Sequence, residues 1–219
     1  MNAFIDFIMG PMVWISFIIF IGGLGVRAAG FFREIKQKES YIFSYMTLYH
    51  SLRSIGAWLV PFFPVSTRQK PFFYGISYLF HLLLFAVPIF LSGHVILVQE
   101  AFNISWPVFN DHIADTLTVL VIASLIFFWG RRMVVPDVKF LTSPTDFVLI
   151  AVVLLPFLTG FLAYHQFFAY RLVMIVHILC GEIMLIMIPF SRFSHMMFAP
   201  FTRAYTGSEF GNVRHARDW

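Results

Sequence analysis

Cysteine is nearly absent from this chain: Cys180 is the one cysteine among 219 residues. A disulfide framework, a cysteine-ligated iron–sulfur cluster and a thiolate zinc site cannot be built from the chain alone. Charge is scarce as well, because 12% of the residues are charged whereas a soluble domain averages about 25%. Too few charged side chains are present to cover a surface that faces water, so a soluble hydrolase is excluded as a class.

Motifs of nucleotide-binding and hydrolytic enzymes are also missing. The sequence contains no Walker motif, no zinc-protease motif and no Gly-x-Ser-x-Gly, so nothing points to their chemistry. The GGLG at 22–25 lies inside an apolar stretch, where small residues allow helices to approach closely and do not form a phosphate loop. The formal charge of +4 is divided among several loops and predicts no nucleic-acid partner.

Long apolar stretches are what the sequence does have: 59% of the residues are apolar, and 29 are phenylalanine. Several stretches without Asp, Glu, Lys or Arg approach the roughly 20 residues that a helix needs to cross hydrocarbon. We therefore predict an all-α integral membrane protein, a single membrane domain over residues 1–219 built as a bundle of five transmembrane helices. The expected spans are about 5–30, 72–99, 113–133, 146–166 and 170–197.

The basic residues predict the orientation of these spans. No Lys or Arg precedes the first span, so it is not a secretory signal peptide. Basic residues cluster after the first, third and fifth spans, and only Arg171 falls on the other side. By the positive-inside rule the N-terminus is outside and the C-terminus is cytoplasmic.

Residues 34–70 form a segment too long for a simple turn between spans. It mixes Tyr, Trp and Phe with basic residues and ends near Pro61 and Pro64, which predicts one or two helices in the cytoplasmic interface. A membrane-surface anchor and a docking surface for a soluble partner are both open interpretations. The polar tail at 200–219 suits docking on the cytoplasmic side.

Four of the eight histidines lie on the second and fifth spans, His81 and His94 on one and His177 and His195 on the other. A lone intramembrane histidine is more often a helix–helix hydrogen bond than a ligand, but these four form two pairs on antiparallel spans. His94 lies six residues before Glu100, and His177 lies six residues after Arg171, so both sit at a similar depth on the outer side. Two bis-histidine haems would use all four: His94 with His177 for an outer haem, and His81 with His195 for an inner haem.

The intervals between these histidines are unequal. Thirteen residues separate His81 from His94, and eighteen separate His177 from His195. Eighteen residues return to the same face of an ideal helix, whereas thirteen leave the two side chains about 140° apart. Pro88 interrupts the shorter interval, and we expect a bent helix there. Pro189 interrupts the longer one in the same way.

Other polar residues are candidates for a proton or quinone path. Glu182 lies inside the fifth span, where an acid must be paired, protonated or in a wet cavity, and a hydrogen bond to a neighbouring helix is the alternative. A quinol that releases protons outward needs an acceptor near the outer haem, and the candidates are His112, Glu100, Asp111 and Asp115. His50, His165 and His215 are interpreted as surface or interface residues, and Cys180 as a packing residue.

Arginines near the cytoplasmic side have two open roles. Arg192 lies one turn before His195 and is a candidate partner for a haem propionate, with a positive-inside anchor as the alternative. Arg53, in the segment 34–70, has the same two interpretations.

The block IPFSRFSHMMFAP at Ile188–Pro200, together with apolar residues before a histidine on span two, resembles the gamma subunit of respiratory nitrate reductase. That family has five transmembrane helices, an outside N-terminus and two b haems, and its last helix carries two histidines at the interval of His177 and His195. The longer His81–His94 interval and the enlarged segment 34–70 are more similar to the cytochrome b subunits of membrane redox complexes of sulfate-reducing bacteria.

The resemblance implies a di-haem b cytochrome subunit in a bacterial or archaeal cytoplasmic membrane. Electrons would pass between the quinone pool near the outer haem and an iron–sulfur protein on the cytoplasmic face, with other membrane subunits and periplasmic cytochrome c subunits as further candidate partners. The alternative is a haem-free membrane anchor, or a subunit that translocates protons or a solute and uses its histidines as hydrogen-bonding or relay groups.

Overall fold

The computed structural model describes residues 3–219, and all regular elements among them are helical. The helices are α1 Ala3–Met9, α2 Pro11–Lys38, α3 Ile42–Tyr45, α4 Leu48–Leu59, α5 Val65–Arg68, α6 Pro71–Phe90, α7 Ser92–Phe102, α8 Asp111–Val134, α9 Pro136–Phe140, α10 Pro144–Tyr164, α11 Tyr170–Phe190 and α12 His195–Ser208. A 3₁₀ turn, Arg192–Ser194, precedes α12, and a π turn, Glu209–Val213, follows it.

Five of these stretches are long and apolar enough to cross a membrane: Ala3–Lys38, which combines α1 and α2, and helices α6, α8, α10 and α11. They expose large apolar side chains, including Ile18, Leu82, Ile126 and Leu172. Such a surface is stable in lipid and not in water. The prediction of an all-α, multi-pass membrane protein with five spans is confirmed.

The chain divides into two compact units. One contains Met1–Gly75 and Glu182–Trp219, and the other contains Ile76–Gly181. The second unit holds His81, His94 and His177, and the first holds His195.

In the second unit, α8 packs against α10 along most of its length. Small and branched side chains such as Thr118, Val121 and Val153 are buried there. At one end, Arg132 Nη1 lies 3.7 Å from the buried Asp146 carboxylate. Asp146 also accepts hydrogen bonds from the backbone and side chain of Ser143, which form a capping box that starts α10. These contacts join the loop between the helices to both of them.

The second predicted span is broken, not merely bent. Helix α6 ends at Phe90, Leu91 is extended with ψ 131°, and α7 begins at Ser92. The final carbonyls of a helix have no partner within it. Here Trp106 Nε1 donates to the Ile89 oxygen at 2.9 Å, and the Phe109 amide donates to the Phe90 oxygen at 2.9 Å. The break is therefore stabilised by the loop that follows α7.

The fifth predicted span is shorter than expected at its second end. Helix α11 stops at Phe190, one residue after Pro189, and the chain then turns through the 3₁₀ segment into α12. His177 and His195 consequently lie on different helices, and the helix break follows Pro189, the residue expected to interrupt this span. The side chain of Ser191 caps the turn by accepting a hydrogen bond from the Phe193 amide.

Close approach at the GGLG segment is confirmed for one of its glycines. A Cβ built at Gly23 would lie 2.7 Å from Pro189 Cγ, so only glycine lets α2 approach this end of α11 without displacement. The space around Gly22 and Gly25 is open in the described part of the chain.

Helix α4 packs against α12 in the first unit through a seam of small residues. Ser51, Ser54 and Ala57 are buried on α4, opposite Ala204 and Gly207. Ser51 Oγ donates to the Ala204 oxygen at 3.2 Å. The other face of α4 exposes large apolar side chains, namely Leu48, Leu52 and Leu59. A polar, small seam with an apolar outer face is typical of helices that lie in lipid or its interface.

The tail at 200–219, expected to be a polar extension, is folded against this seam. Ser54 Oγ donates to Asp218 Oδ2 at 2.6 Å, and Arg203 Nη1 lies 3.9 Å from the same oxygen. The Arg53 guanidinium lies 4.9 Å from the centre of the Trp219 ring. These contacts give Arg53 a structural role within the first unit.

Substitution of Gly207 tests the seam. A Cβ at Gly207 would collide with Ser54 Cβ and lie 2.9 Å from the His50 carbonyl oxygen, so we expect Gly207→Ala to force the helices apart and destabilise the protein by about 1–3 kcal/mol. Gly56→Ala is the matched control, because its Cβ would enter open space and should leave stability equal or slightly higher. Thermal unfolding in detergent measures the midpoint temperature of both variants. A Gly207→Ala midpoint as high as that of Gly56→Ala would refute the close packing of α4 on α12 at Gly207.

Candidate functional site

His94 is placed by the break between α6 and α7. Its ring lies in the first turn of α7, and its Nδ1 lies 2.8 Å from the Pro88 carbonyl oxygen. Pro88 is the third-last residue of α6, so its carbonyl is among those a helix end leaves without an internal partner. A carbonyl oxygen can only accept, so Nδ1 carries the proton and Nε2 keeps its lone pair. The helix break thus both positions the imidazole and selects its tautomer.

His177 is placed by α10. Its Nδ1 lies 3.0 Å from the Pro156 carbonyl oxygen, and Thr159 Oγ1 lies 3.4 Å from the same nitrogen. A Cβ built at Gly160 would lie 2.9 Å from His177 Cε1. Glycine at this position therefore leaves the space that the imidazole occupies. As in His94, the bond from Nδ1 to a carbonyl leaves Nε2 with its lone pair.

The two imidazoles form a matched pair. Their ring centres lie 6.1 Å apart, and their planes differ by 7°. Among residues 3–219, hydrogen bonds engage the Nδ1 atom of each ring, and none joins one ring to the other. A direct helix–helix hydrogen bond between the two histidines is therefore not the arrangement in this structure.

This geometry fits a bis-histidine metal site. A metal bound between two imidazoles requires ring centres about 6 Å apart, since each metal–nitrogen bond is about 2 Å and each nitrogen lies about 1 Å from its ring centre. The tautomer with Nδ1–H bonded to a carbonyl is the one that presents Nε2 as a ligand. The ring separation and the Nδ1–H tautomer are those that His94 and His177 would need to hold a haem iron through Nε2.

His81 and His195 share the same local signature. His81 Nδ1 lies 2.7 Å from the Ser77 oxygen one turn earlier on α6. His195 Nδ1 lies 2.8 Å from the Arg192 oxygen in the 3₁₀ turn. All four predicted ligands therefore direct Nδ1 to a backbone carbonyl, which suits coordination through Nε2. His50 differs, because its Nδ1 lies 2.7 Å from the hydroxyl oxygen of its own N-cap, Thr47.

Arg192, the predicted propionate partner, lies exposed in the 3₁₀ turn, and its carbonyl oxygen accepts a hydrogen bond from His195 Nδ1.

Arg27 was missed by sequence reasoning. Its Nη2 donates to Ser194 Oγ at 3.2 Å, and its guanidinium lies 5.9 Å from the centre of the Phe198 ring. Arg27 on α2 therefore stabilises the turn that presents His195.

The remaining candidates behave differently from one another. Glu182 is 3% exposed, and neither carboxyl oxygen has a hydrogen-bond partner among residues 3–219. Glu100 and His112 are exposed on α7 and α8. Asp111 forms a hydrogen bond with Tyr164, and Asp115 lies 3.1 Å from His165 Nε2. The structure thus places Asp111 and Asp115 in two separate pairs at the end of α10, and Glu182 is the buried acid among these candidates.

Three residues of the site carried no clear sequence signal. Gly160 is one glycine within an apolar helix, Trp106 lies in a loop, and His165 was interpreted as a surface residue. Each matters through a partner remote in sequence: His177, the Ile89 carbonyl and Asp115, respectively. The spacing within their own segments could not have identified them.

The five apolar helices define a multi-pass, α-helical membrane protein, in which the His94 and His177 rings lie as a near-parallel pair. The chain is 36% identical over 213 residues to a protein of Nitratidesulfovibrio vulgaris strain Hildenborough. The matched region covers 95% of this chain and 94% of the relative. The chain belongs to the same protein family as this bacterial relative, whose name states no activity. No family model matches the chain, and no solved structure matches it.

Proposed function

We propose that the protein is a di-haem b membrane cytochrome that transfers electrons between the quinone pool and an iron–sulfur partner protein on the cytoplasmic face of a respiratory redox complex. The observation that carries this proposal is the His94–His177 pair, with its 6.1 Å separation, near-parallel rings and Nδ1 atoms bonded to carbonyls. When bound, a b haem supplies one-electron transfer.

The residues of the chain have defined tasks in this proposal. The Pro88 and Pro156 carbonyls hold the His94 and His177 imidazoles in the ligating tautomer, and Gly160 leaves space for the second ring. Hydrogen bonds of this kind also increase the basicity of the ligating nitrogen and so tune the metal. The pairing of His81 with His195 around a second haem rests on the place of both residues toward the predicted cytoplasmic ends of their spans, and on their shared Nδ1 signature.

The orientation and the cellular location follow from sequence. Positive charge after spans one, three and five favours an outside N-terminus and a cytoplasmic C-terminus, and the relative from a bacterium favours the bacterial cytoplasmic membrane. The resemblance to the nitrate reductase gamma subunit and to the cytochromes b of sulfate-reducing bacteria supports the same function. A haem-free anchor or translocating subunit is the competing function, favoured by the buried, unpartnered Glu182.

An absorption spectrum of the purified protein tests the proposal. We expect a b-type α band on reduction and about two haems per chain by the pyridine haemochrome method. Reduction by a short-chain menaquinol should produce the same band. A folded, pure protein that lacks the band would favour the haem-free alternative, and a band that dithionite but no quinol elicits would refute the link to quinone.

A further inference from the structure

An open surface pocket of about 370 Å³, called the cavity below, lies between α8 and α10, within the second unit. Its volume is in the range of small-molecule sites, about 300–1,000 Å³. It is lined by Asp115, Thr116, Val119, Leu120, Phe161 and His165. The lining combines a mostly apolar wall with one polar pair, which is typical of sites that bind an apolar molecule in a defined orientation.

The polar pair is His165 and Asp115. His165 Nε2 lies 3.1 Å from Asp115 Oδ2, and the side chains are 31% and 34% exposed, so both can be reached by a ligand. Because the carboxylate holds Nε2–H, Nδ1 of the neutral ring can accept a hydrogen bond from a ligand hydroxyl. The Phe161 ring lies 4.4 Å from the His165 ring centre to centre, so an aromatic surface adjoins the polar group.

The apolar wall faces the outside of the helix pair. Val119 is 47% exposed and Leu120 is 38% exposed, and both lie on α8, one of the membrane-crossing helices. A ligand can therefore enter from lipid. The chemistry that fits is an apolar, ring-shaped molecule with an oxygen that exchanges a hydrogen bond with imidazole.

The cavity is also close along α10 to the imidazole site. Gly160, which makes space for His177, immediately precedes the cavity residue Phe161, and His165 follows five residues later. Five residues correspond to about 7.5 Å along a helix. Helix α10 thus contains both Gly160, which leaves room for the His177 ring, and Phe161, which lines the cavity.

We propose that this cavity binds the ring of a quinone or quinol while Asp115 holds the His165 imidazole in place. His165 Nδ1 accepts a hydrogen bond from a quinol hydroxyl, or in the imidazolium form donates one to a quinone carbonyl. The proposal rests on the function proposed above and names its quinone-binding residues. The titratable groups that line it are Asp115 and His165, and the adjacent Tyr164 is bonded to Asp111. An acyl chain of a phospholipid would occupy the apolar wall without using the polar pair.

Photolabelling of the purified full-length protein with an azido-menaquinone tests the site. We expect label on the peptides that contain 115–120 and 161–165, and competition by unlabelled menaquinone but not by added phospholipid. Leu120→Trp fills the cavity and should reduce labelling at least tenfold. Leu172→Trp is the matched control at an exposed, apolar position outside the cavity, and it should label normally.

The polar pair has its own comparison. His165→Ala should weaken labelling several-fold, and His215→Ala, at an exposed histidine near the C-terminus that does not line the cavity, should leave it unchanged. Label confined to other peptides, unchanged labelling of Leu120→Trp, or displacement by phospholipid alone would overturn the proposal. Haem content is measured on the same samples. Wild-type protein that holds both haems but takes no label at the cavity would refute this site alone. Wild-type protein without haem would refute the proposed function.

Discussion

Replacing either His94 or His177 by alanine is expected to remove the same haem. Each variant should fall from about two haems to about one per chain. The reason is that the imidazole that remains supplies one of the two axial nitrogens that the haem requires. The double variant should lose no more than either single variant. Pyridine haemochrome content and reduced-minus-oxidised spectra measure this directly.

The remaining haem serves as an internal control for folding. A variant that keeps about one haem has kept its membrane fold, and His215→Ala, at an exposed histidine near the C-terminus, should keep both. His177→Gly offers a further check, since added imidazole should restore the lost haem by occupying the space of the missing ring. If His94→Ala and His177→Ala remove spectrally different haems, the pairing is wrong.

The same logic assigns the second site. His81→Ala and His195→Ala should each remove the haem that the first two variants retain. Spectra of these four single variants should therefore fall into two classes of two.

Gly160→Ala is expected to weaken the His94–His177 site without removing a ligand. The new Cβ would lie 2.9 Å from His177 Cε1 and 3.2 Å from its Nδ1, so the ring must move and its bond to the Pro156 carbonyl must change. Changes to groups that orient a metal ligand typically lower metal affinity about 10- to 100-fold. Haem titration of the apoprotein, resolved by the two spectral classes, should show this loss at one site only.

Gly130→Ala is the matched control for this substitution. It makes the same change in another membrane helix, α8, at a position where a Cβ meets open space in the described structure. Both variants gain the same helix propensity, about 1 kcal/mol relative to glycine, so a difference between them isolates the contact with His177. Equal haem affinity in the two variants would mean that Gly160 does not determine the ring position.

The five spans could be predicted because hydropathy is a local property. Every stretch of about 20 apolar residues in a chain with little charge must be a helix in lipid, where backbone groups find no other partners. The ends of two spans could not be predicted in this way. The break after Phe90 depends on Trp106 and Phe109, which supply donors to carbonyls from a loop that hydropathy does not describe.

The pairing of His94 with His177 could be predicted from the sequence, and the groups that surround the two rings could not. His94 and His177 stand out because imidazoles are rare in apolar spans, and their depths could be matched by counting residues from the charged flanks. The 140° offset between His81 and His94 on an ideal helix became irrelevant, because the two residues lie on separate helices, α6 and α7. Pro88 does not act by bending a continuous helix. Its carbonyl oxygen accepts a hydrogen bond from His94 Nδ1.

His165 illustrates the opposite case. A histidine just beyond the end of an apolar helix resembles an ordinary interface residue, and its partner Asp115 is fifty positions earlier. Only the packing of α8 on α10 brings them together beside an apolar cavity. Long-range pairs of this kind leave no periodic pattern in a single sequence.

Near-infrared magnetic circular dichroism of the oxidised, purified protein tests the central claim most directly, because the energy of its charge-transfer band identifies the axial ligands of a low-spin haem. We expect the band of bis-histidine ligation, with about half of its intensity lost in His94→Ala. A high-spin signal, a histidine–methionine band, or no haem signal from folded wild-type protein would contradict the assignment of His94 and His177 as haem ligands.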